Sequence, residues 1–375
     1  MSKPLTESKP EGPLQPLPPV QPPTAGFLLQ LFLIPLVIVT IIVMVWLLFS
    51  WLAHMGTNPQ DLVRDIGKVN DGSWQRAYNL AELMRKPQYQ HLKKDPKLAQ
   101  ELAGTLTSLR SSRPERKRDA SSETDVDRKK RKDSAYDNRV KLEVFLCRVL
   151  GEFEIRDGVP ALVEAARPES TNDPEGFAVR IAALGALAVQ AGQPDSKSLQ
   201  DEPGLMETVI DASKERGDGE YGGEEFDKLR SAAAFTLGML ESNEASERLA
   251  QMLDDPNANV RYNAALGLAR HGDTRALPVL GEMLDPTNTA ALEDPDTEGA
   301  GKEALLASGK SWKQVSVMTN AIRGARMLVA KHPGGDYAQL ISWLEQIEKS
   351  DLIDRVKLDA KDLRLELDEA AAAAK

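Results

Sequence analysis

Three arginines recur at equivalent points of a repeated pattern, and their chemistry suits an anionic ligand. Arg180, Arg230 and Arg261 each follow an apolar residue near the start of a predicted helix. A guanidinium group holds its N–H donors in a rigid plane that matches carboxylate and phosphate oxygens. If the three side chains lie in a row, they can bind an extended anion.

A second candidate is a phosphate loop. Residues 304–311 read ALLASGKS and fit the permissive form of the motif in which backbone amides and a lysine hold phosphates. That motif lies between a strand and a helix, but no strand pattern precedes these residues. The first position is Ala rather than Gly, and no apolar strand ending in Asp is present to hold magnesium. We therefore expect no nucleotide site.

Metal and nucleophile chemistry have little support. The four histidines, His54, His91, His271 and His332, lack the paired spacing of metal ligands, and Cys147 is the one cysteine. Cys147 lies among apolar residues, so we expect a core position. No nucleophile elbow is present. The sequence thus predicts no catalytic residue, metal site or cofactor, and a protein that is not an enzyme.

Residues 27–53 predict the element that positions the rest of the chain. They are 27 consecutive residues without a charge, and a helix of that length spans about 40 Å, more than the roughly 30 Å of a bilayer core. We therefore predict one transmembrane helix, with Trp46 and Trp51 at an interface. A cleaved signal peptide is the alternative, but its apolar core is shorter.

The flanking charges predict an orientation. Lys9 is the nearest basic residue before the helix, whereas Arg64 and Lys68 follow it more closely and further basic residues come after them. By the positive-inside rule we expect a single-pass protein of a bacterial inner membrane with a cytoplasmic C-terminal domain.

Composition divides the remaining chain. We predict a proline-rich disordered tail at 1–26, a juxtamembrane helical segment at 54–110, a charged disordered linker at 111–137 and a repeat domain at 138–375. Five of the eight tail prolines are spaced by three, as in polyproline II, which can dock in an aromatic groove; we favour a stiff, unbound tail.

Charge is uneven along the chain. Residues 54–137 hold 18 Lys and Arg against 13 Asp and Glu, a net charge of +5. Because the whole chain carries −10 and residues 1–53 are neutral, residues 138–375 carry −15. The basic part suits contact with anionic membrane lipid. The acidic part repels phosphate backbones, so no nucleic acid is expected as a partner.

A repeat of fixed period defines the fold. The stretch Leu229–Leu237 aligns position by position with Val260–Leu268, and Val260, Ala264 and Leu268 lie on one helix face. The turns of the repeat are Asp254-Asp255 and Gly272-Asp273, and Pro278 opens the next helix. Such units bury their apolar faces only when they stack.

These residues, in particular "DPNANVRYN" at 255–263 and "GLARHGDTRALPVLGEML" at 267–284, resemble the HEAT-like repeat family, of the short type named after phycobilisome lyases. The resemblance covers about half the chain. It implies an all-α fold, an α-solenoid of HEAT-like helical hairpins behind the transmembrane helix, whose second helices line a concave binding surface. It also implies that the arginines pair with turn aspartates of neighbouring units, such as Asp254 and Asp255, and are structural.

The function expected from these features is a membrane-tethered, non-enzymatic scaffold or adaptor that binds a protein partner through the repeat surface. The family name alone suggests a chromophore (bilin) lyase-like enzyme or a subunit of one. An envelope-facing assembly factor is a third possibility, which depends on the orientation in the membrane.

Overall fold

The computed structural model describes residues 25–54, 59–112, 134–168, 174–193, 196–217, 223–290 and 302–373. Almost all of the predicted tail at 1–26 and most of the predicted linker at 111–137 lie outside these ranges. Within them the chain forms α-helices and short 3₁₀ segments and no strand. The predicted all-α fold is confirmed.

The chain divides after Asn58 into two units. The first contains α1 (Ala25–His54), a 30-residue helix that includes Pro35. Its segment Leu31–Ser50 is long and apolar enough to cross a membrane. The side chain of Trp46 is 66% exposed, while the side chain of Trp51 lies outside the described part of the structure.

In the described ranges, the second unit contains a stack of seven helix pairs. They are α2 (Pro59–Ile66) with α3 (Ser73–Met84), α4 (Pro96–Ser111) with α5 (Ser134–Gly151), α6 (Val159–Ala166) with α7 (Pro174–Ala191), α8 (Leu205–Lys214) with α9 (Gly223–Leu237), α10 (Asn243–Met252) with α11 (Ala258–His271), α12 (Leu277–Leu284) with α13 (Lys302–Lys331), and α14 (Ala338–Glu348) with α15 (Asp354–Ala373). The second helices of successive pairs pack side by side, and each first helix packs on its own partner. This arrangement is the predicted α-solenoid, and it also includes α2 to α4, which precede the predicted repeat domain at 138–375.

Helix α11 shows how the sequence sets one of these elements. The Asn257 side chain accepts hydrogen bonds from the amides of Asn259 and Val260, at 3.0 and 3.3 Å, and so caps the first turn. Gly272 ends the helix in the left-handed conformation, with φ +83°. Between these caps, Val260, Ala264 and Leu268 are fully buried at one-turn spacing.

The second helices approach one another closely where glycines face each other. A Cβ atom added to Gly238 would lie 2.6 Å from the Cα atom of Gly267, and one added to Gly267 would lie 2.8 Å from the Cα atom of Gly238. Only residues without a side chain permit this contact. It brings α11 against the residue that follows α9.

The four longest internal breaks in the described ranges, 113–133, 169–173, 218–222 and 291–301, all fall between the first and second helix of a pair. The predicted linker at 111–137 comes between α4 and α5 in the sequence. Arg139 of α5 donates to the Leu109 carbonyl of α4 at 2.9 Å. Residues on both sides of the predicted linker share one core.

Candidate interaction surface

The arginine in the middle of α9, Arg230, forms a buried contact between two helix pairs. Arg230 donates from Nε and Nη2 to the two oxygens of Asp255, at 2.9 and 3.0 Å, and both residues are buried. Its Nη2 also donates to Asp227 at 2.6 Å, and its Nη1 to the Glu215 carbonyl at 3.3 Å. Because Asp255 lies in the turn before α11, this planar, two-bond pair joins one unit to the next.

Asp255 is the acceptor on which this contact converges. Besides Arg230, it accepts from Arg216 at 2.7 Å and from the Asn257 amide at 3.0 Å. Burial alone raises the pKa of the Asp255 carboxyl, but the hydrogen bonds from Arg230, Asn257 and Arg216 outweigh it and lower that pKa below its usual value. The charged carboxylate is thus favoured. Asp254, the neighbouring candidate, is exposed.

The other two arginines make the same kind of contact with glutamates instead of aspartates. Arg180 binds both carboxylate oxygens of Glu215, which lies after α8, and donates to the Ala166 carbonyl at 3.0 Å. Arg261 binds both oxygens of Glu282 on α12, which raises the pKa of the Arg261 guanidinium above its usual value. In each case the carboxylate comes from the following helix pair.

The remaining motif residues form the turn between α11 and α12. Gly272 occupies the left-handed position, and the amide of Asp273 donates to the Leu268 carbonyl at 2.9 Å. The Asp273 side chain in turn accepts from the Arg275 amide at 3.0 Å. Pro278, in the first turn of α12, is exposed.

An open groove with a volume of about 920 Å³ runs along the second helices α9, α11 and α13. Its floor alternates apolar and amide side chains, namely Ala232, Phe235, Asn263, Leu266, Val317 and Asn320. Phe235 is 42% exposed. Because equivalent positions of neighbouring helices line it, the groove follows the direction of the stack.

Hydrogen bonds fix the floor of this groove. The Asn263 side-chain amide donates to the carbonyl and the hydroxyl of Ser231, at 3.2 and 2.9 Å, and so joins α11 to α9. The hydroxyl of Tyr262 donates to Glu282 at 3.1 Å. Burial, together with the Glu282 charge, raises the pKa of Tyr262 to about 12, so its hydroxyl remains protonated.

Charges at the rim of the groove are locally balanced. Glu224 and Lys228, one turn apart on α9, pair at 2.6 Å, while Asp227 contacts Arg230. A neutral floor with apolar and amide groups can bind a polypeptide through both its side chains and its backbone. It does not offer a concentration of cations for phosphate.

The candidate phosphate-loop and metal-binding residues of the sequence do not form a common site in the described ranges. Residues 304–311 are helical, within α13, and their side chains lie outside the described part. His271 binds Ser246 at 2.9 Å, and burial is the main reason that its pKa is lowered. Across the described ranges, no group of three His, Cys, Asp or Glu side chains could hold a metal ion.

Sequence reasoning named the arginines, and the family resemblance implied a binding surface lined by the second helices, but it identified none of the residues of the groove. Phe235 and Leu266 occupy equivalent positions of the aligned repeats, as do Ala232 and Asn263. Both pairs lie on the helix face opposite the buried one. Comparing exposed rather than buried positions of the repeats would have found them.

Comparisons with known proteins agree with this architecture. No curated protein matches the chain. Residues 223–309, which include α9 to α12 and the start of α13, match the family of HEAT repeats. The part of the chain that forms most of the groove is therefore similar to HEAT repeats.

Proposed function

We propose that this protein is a membrane-tethered, non-enzymatic scaffold or adaptor that binds a protein partner in the groove formed by α9, α11 and α13. The groove itself is the observation that carries the proposal. It is open, extends over successive repeat units and combines exposed apolar groups with amides. Helical repeats of this kind commonly present extended binding surfaces.

A polypeptide fits the groove better than the other ligand classes. Exposed Phe235 and half-buried Leu266 offer apolar contact, and the amides of Asn259 and Asn320 can pair with a peptide backbone. A nucleic acid would meet a domain whose net charge is −15, so repulsion opposes binding.

The arginine contacts belong to the scaffold in this proposal. Arg180, Arg230 and Arg261 already bind carboxylates of the following units, so their planar donors are occupied. An anionic ligand would have to displace Glu215, Asp255 and Glu282. We therefore assign a structural role to these arginines and to the turn residues of the repeat.

The membrane tether is α1. The length and apolar composition of Leu31–Ser50 support a single crossing, with Trp46 and Trp51 at an interface. The basic residues after α1 favour an orientation in which the solenoid lies on the cytoplasmic side of a bacterial inner membrane. The repeats resemble the short type named after phycobilisome lyases. We propose no lyase activity on the basis of that resemblance.

The test is partner recovery from membranes by the full chain carrying one groove substitution. Phe235→Glu places a charge on the apolar floor, and Leu358→Glu makes the same change at an exposed position of α15 outside the groove. We expect mild-detergent purification to recover a specific protein with the native chain and with Leu358→Glu. Recovery with Phe235→Glu should be at least about tenfold lower, a loss of about 1.4 kcal/mol or more.

Equal recovery with all three chains would contradict the groove as the binding site. Alkaline extraction tests the tether separately. The chain should stay with the membrane pellet, and release into the supernatant would contradict anchoring by α1.

A further inference from the structure

Aromatic and basic side chains form a second surface at the start of the stack, where α3 packs on α5. Trp74 stacks on Phe145 with 5.8 Å between ring centroids, and Tyr78 meets the edge of Phe145 at 5.6 Å. Lys141 lies 5.6 Å from the Trp74 ring and Arg148 lies 5.0 Å from the Phe145 ring. We call these five residues the aromatic patch.

The aromatic patch is open to solvent and carries positive charge. Tyr78 is 46% exposed, and Lys141 and Arg148 are exposed. Glu82 on α3 pairs with Arg85 at 2.9 Å, and Glu152, just after α5, pairs with Arg85 and Lys93 at 2.7 and 3.3 Å. Glu143 on α5 is buried. At the other end, Asp71 and Asp137 precede the rings.

We propose that the aromatic patch contacts the anionic headgroups of the membrane that α1 spans; this rests on the tether of the proposed function. Tryptophan and tyrosine favour the headgroup region because their rings are apolar and their N–H and O–H groups are polar. Lysine and arginine pair with lipid phosphates while remaining over the rings. Charge and side-chain type therefore both match an anionic lipid surface.

Chain length supplies the second argument for lipid. Residues 55–58 are all that separate His54, the end of α1, from Pro59, the start of α2. Five peptide steps reach at most roughly 17 Å. The covalent chain therefore keeps Pro59, the first residue of α2, within that distance of the end of the proposed membrane helix. A protein partner would have to compete for this surface with the anionic lipid at hand.

The experiment places a fluorescent probe beside the aromatic patch of the full chain in vesicles. NBD, a dye whose emission shifts to the blue in apolar surroundings, is attached at Gln75→Cys, an exposed position of α3. The control label is at Glu101→Cys, an exposed position of α4. Cys147 is buried and is not labelled.

The vesicles contain phosphatidylcholine and phosphatidylglycerol in a molar ratio of seven to three, and the reference vesicles contain phosphatidylcholine alone. We expect a blue shift at position 75 in the anionic vesicles relative to the reference vesicles. Position 101 should show none.

Charge reversal then identifies the cause. Lys141→Glu with Arg148→Glu should abolish the shift at position 75, whereas Lys94→Glu with Lys97→Glu, an equal change of charge at other exposed positions, should retain it. Circular dichroism of each variant checks that the helices remain.

Three results would overturn the proposal. The shift could persist after Lys141→Glu with Arg148→Glu, it could be absent in anionic vesicles, or it could arise only when a protein partner is added. A chain that fails to float with the vesicles overturns the tether, and this inference with it. A negative result for partner binding at Phe235 would change none of these fluorescence and flotation results. The two proposals can therefore be refuted independently.

Discussion

The buried carboxylate of Asp255 gives the sharpest test of how the repeat units are joined. Asp255→Ala removes the acceptor of two Arg230 hydrogen bonds, one Arg216 bond and the Asn257 amide bond. Arg230 would remain buried as a cation. Its remaining partners are Asp227 and the Glu215 carbonyl.

The magnitude follows from this loss. Breaking a buried ion pair by removing one partner destabilises a protein by about 3–5 kcal/mol. Because Asp227 still compensates part of the Arg230 charge, we expect the lower end, about 3 kcal/mol. Asp254→Ala is the matched control, since Asp254 is the exposed neighbour in the same turn and surface changes stay within about 0.5 kcal/mol.

Hydrogen exchange is the suitable assay because stacked repeats open locally. In Asp255→Ala, amides of α9 and α11 should exchange about 100-fold faster, as a loss of about 3 kcal/mol requires. The difference between the native chain and Asp255→Asn also depends on pH. Since the folded-state pKa of Asp255 is lowered, its charge stabilises the fold above the ordinary value of 3.8, and this contribution is lost as the pH falls below it. Equal exchange in Asp255→Ala and Asp254→Ala would show that the Asp255 carboxylate does not join the two helix pairs.

Three further predictions concern the ion pair of Arg261, two glycines of the stack and the charge of His271. Arg261→Ala loses the two-oxygen contact with Glu282 and should lower the unfolding free energy by about 1.5–3 kcal/mol in denaturant titrations. Gly272→Ala forces a side chain onto φ +83° and places its Cβ 2.9 Å from Lys331, so it should destabilise by about 1–2 kcal/mol or more. A Cβ atom added to Gly185, on α7, would meet no atom within 4 Å. Gly185→Ala should therefore stabilise the fold, by about 0.5–1 kcal/mol. The third prediction concerns pH: since burial lowers the folded-state pKa of His271, stability should decline as the pH falls below 6.5, and this decline should be smaller in His271→Gln.

Each of these has a contrary outcome. Unchanged stability of Arg261→Ala with lost partner binding would favour an anionic ligand. A melting temperature for Gly272→Ala equal to that of Gly185→Ala would contradict the strain at residue 272. Parallel stability curves of the native chain and His271→Gln between pH 7 and 5 would contradict the burial of a neutral imidazole.

The sequence was sufficient for the parts of the fold that depend on local pattern. The uncharged stretch predicted α1, and the spacing of Val260, Ala264 and Leu268 predicted the buried face of α11. Asp255 was predicted as an arginine partner from the repeat resemblance. These features recur at fixed offsets, so one chain contains enough copies to recognise them.

Contacts between distant residues could not be obtained in this way. Glu282 as the partner of Arg261 and Phe145 as the partner of Trp74 depend on how successive pairs stack. The predicted separation of 54–110 from 138–375 followed the composition of 111–137. Composition does not reveal that α4 and α5, which lie on either side of this segment, pack on each other and share a core.

We propose that a protein partner occupies the groove of α9, α11 and α13. The most direct measurement is photo-crosslinking in intact membranes from p-benzoylphenylalanine at position 235, where it replaces exposed Phe235. The control places the same residue at Gln251, which is exposed on the first helix α10. We predict an adduct of discrete mass from position 235 and none from position 251. No adduct from position 235, or the same adduct from both positions, would contradict the account.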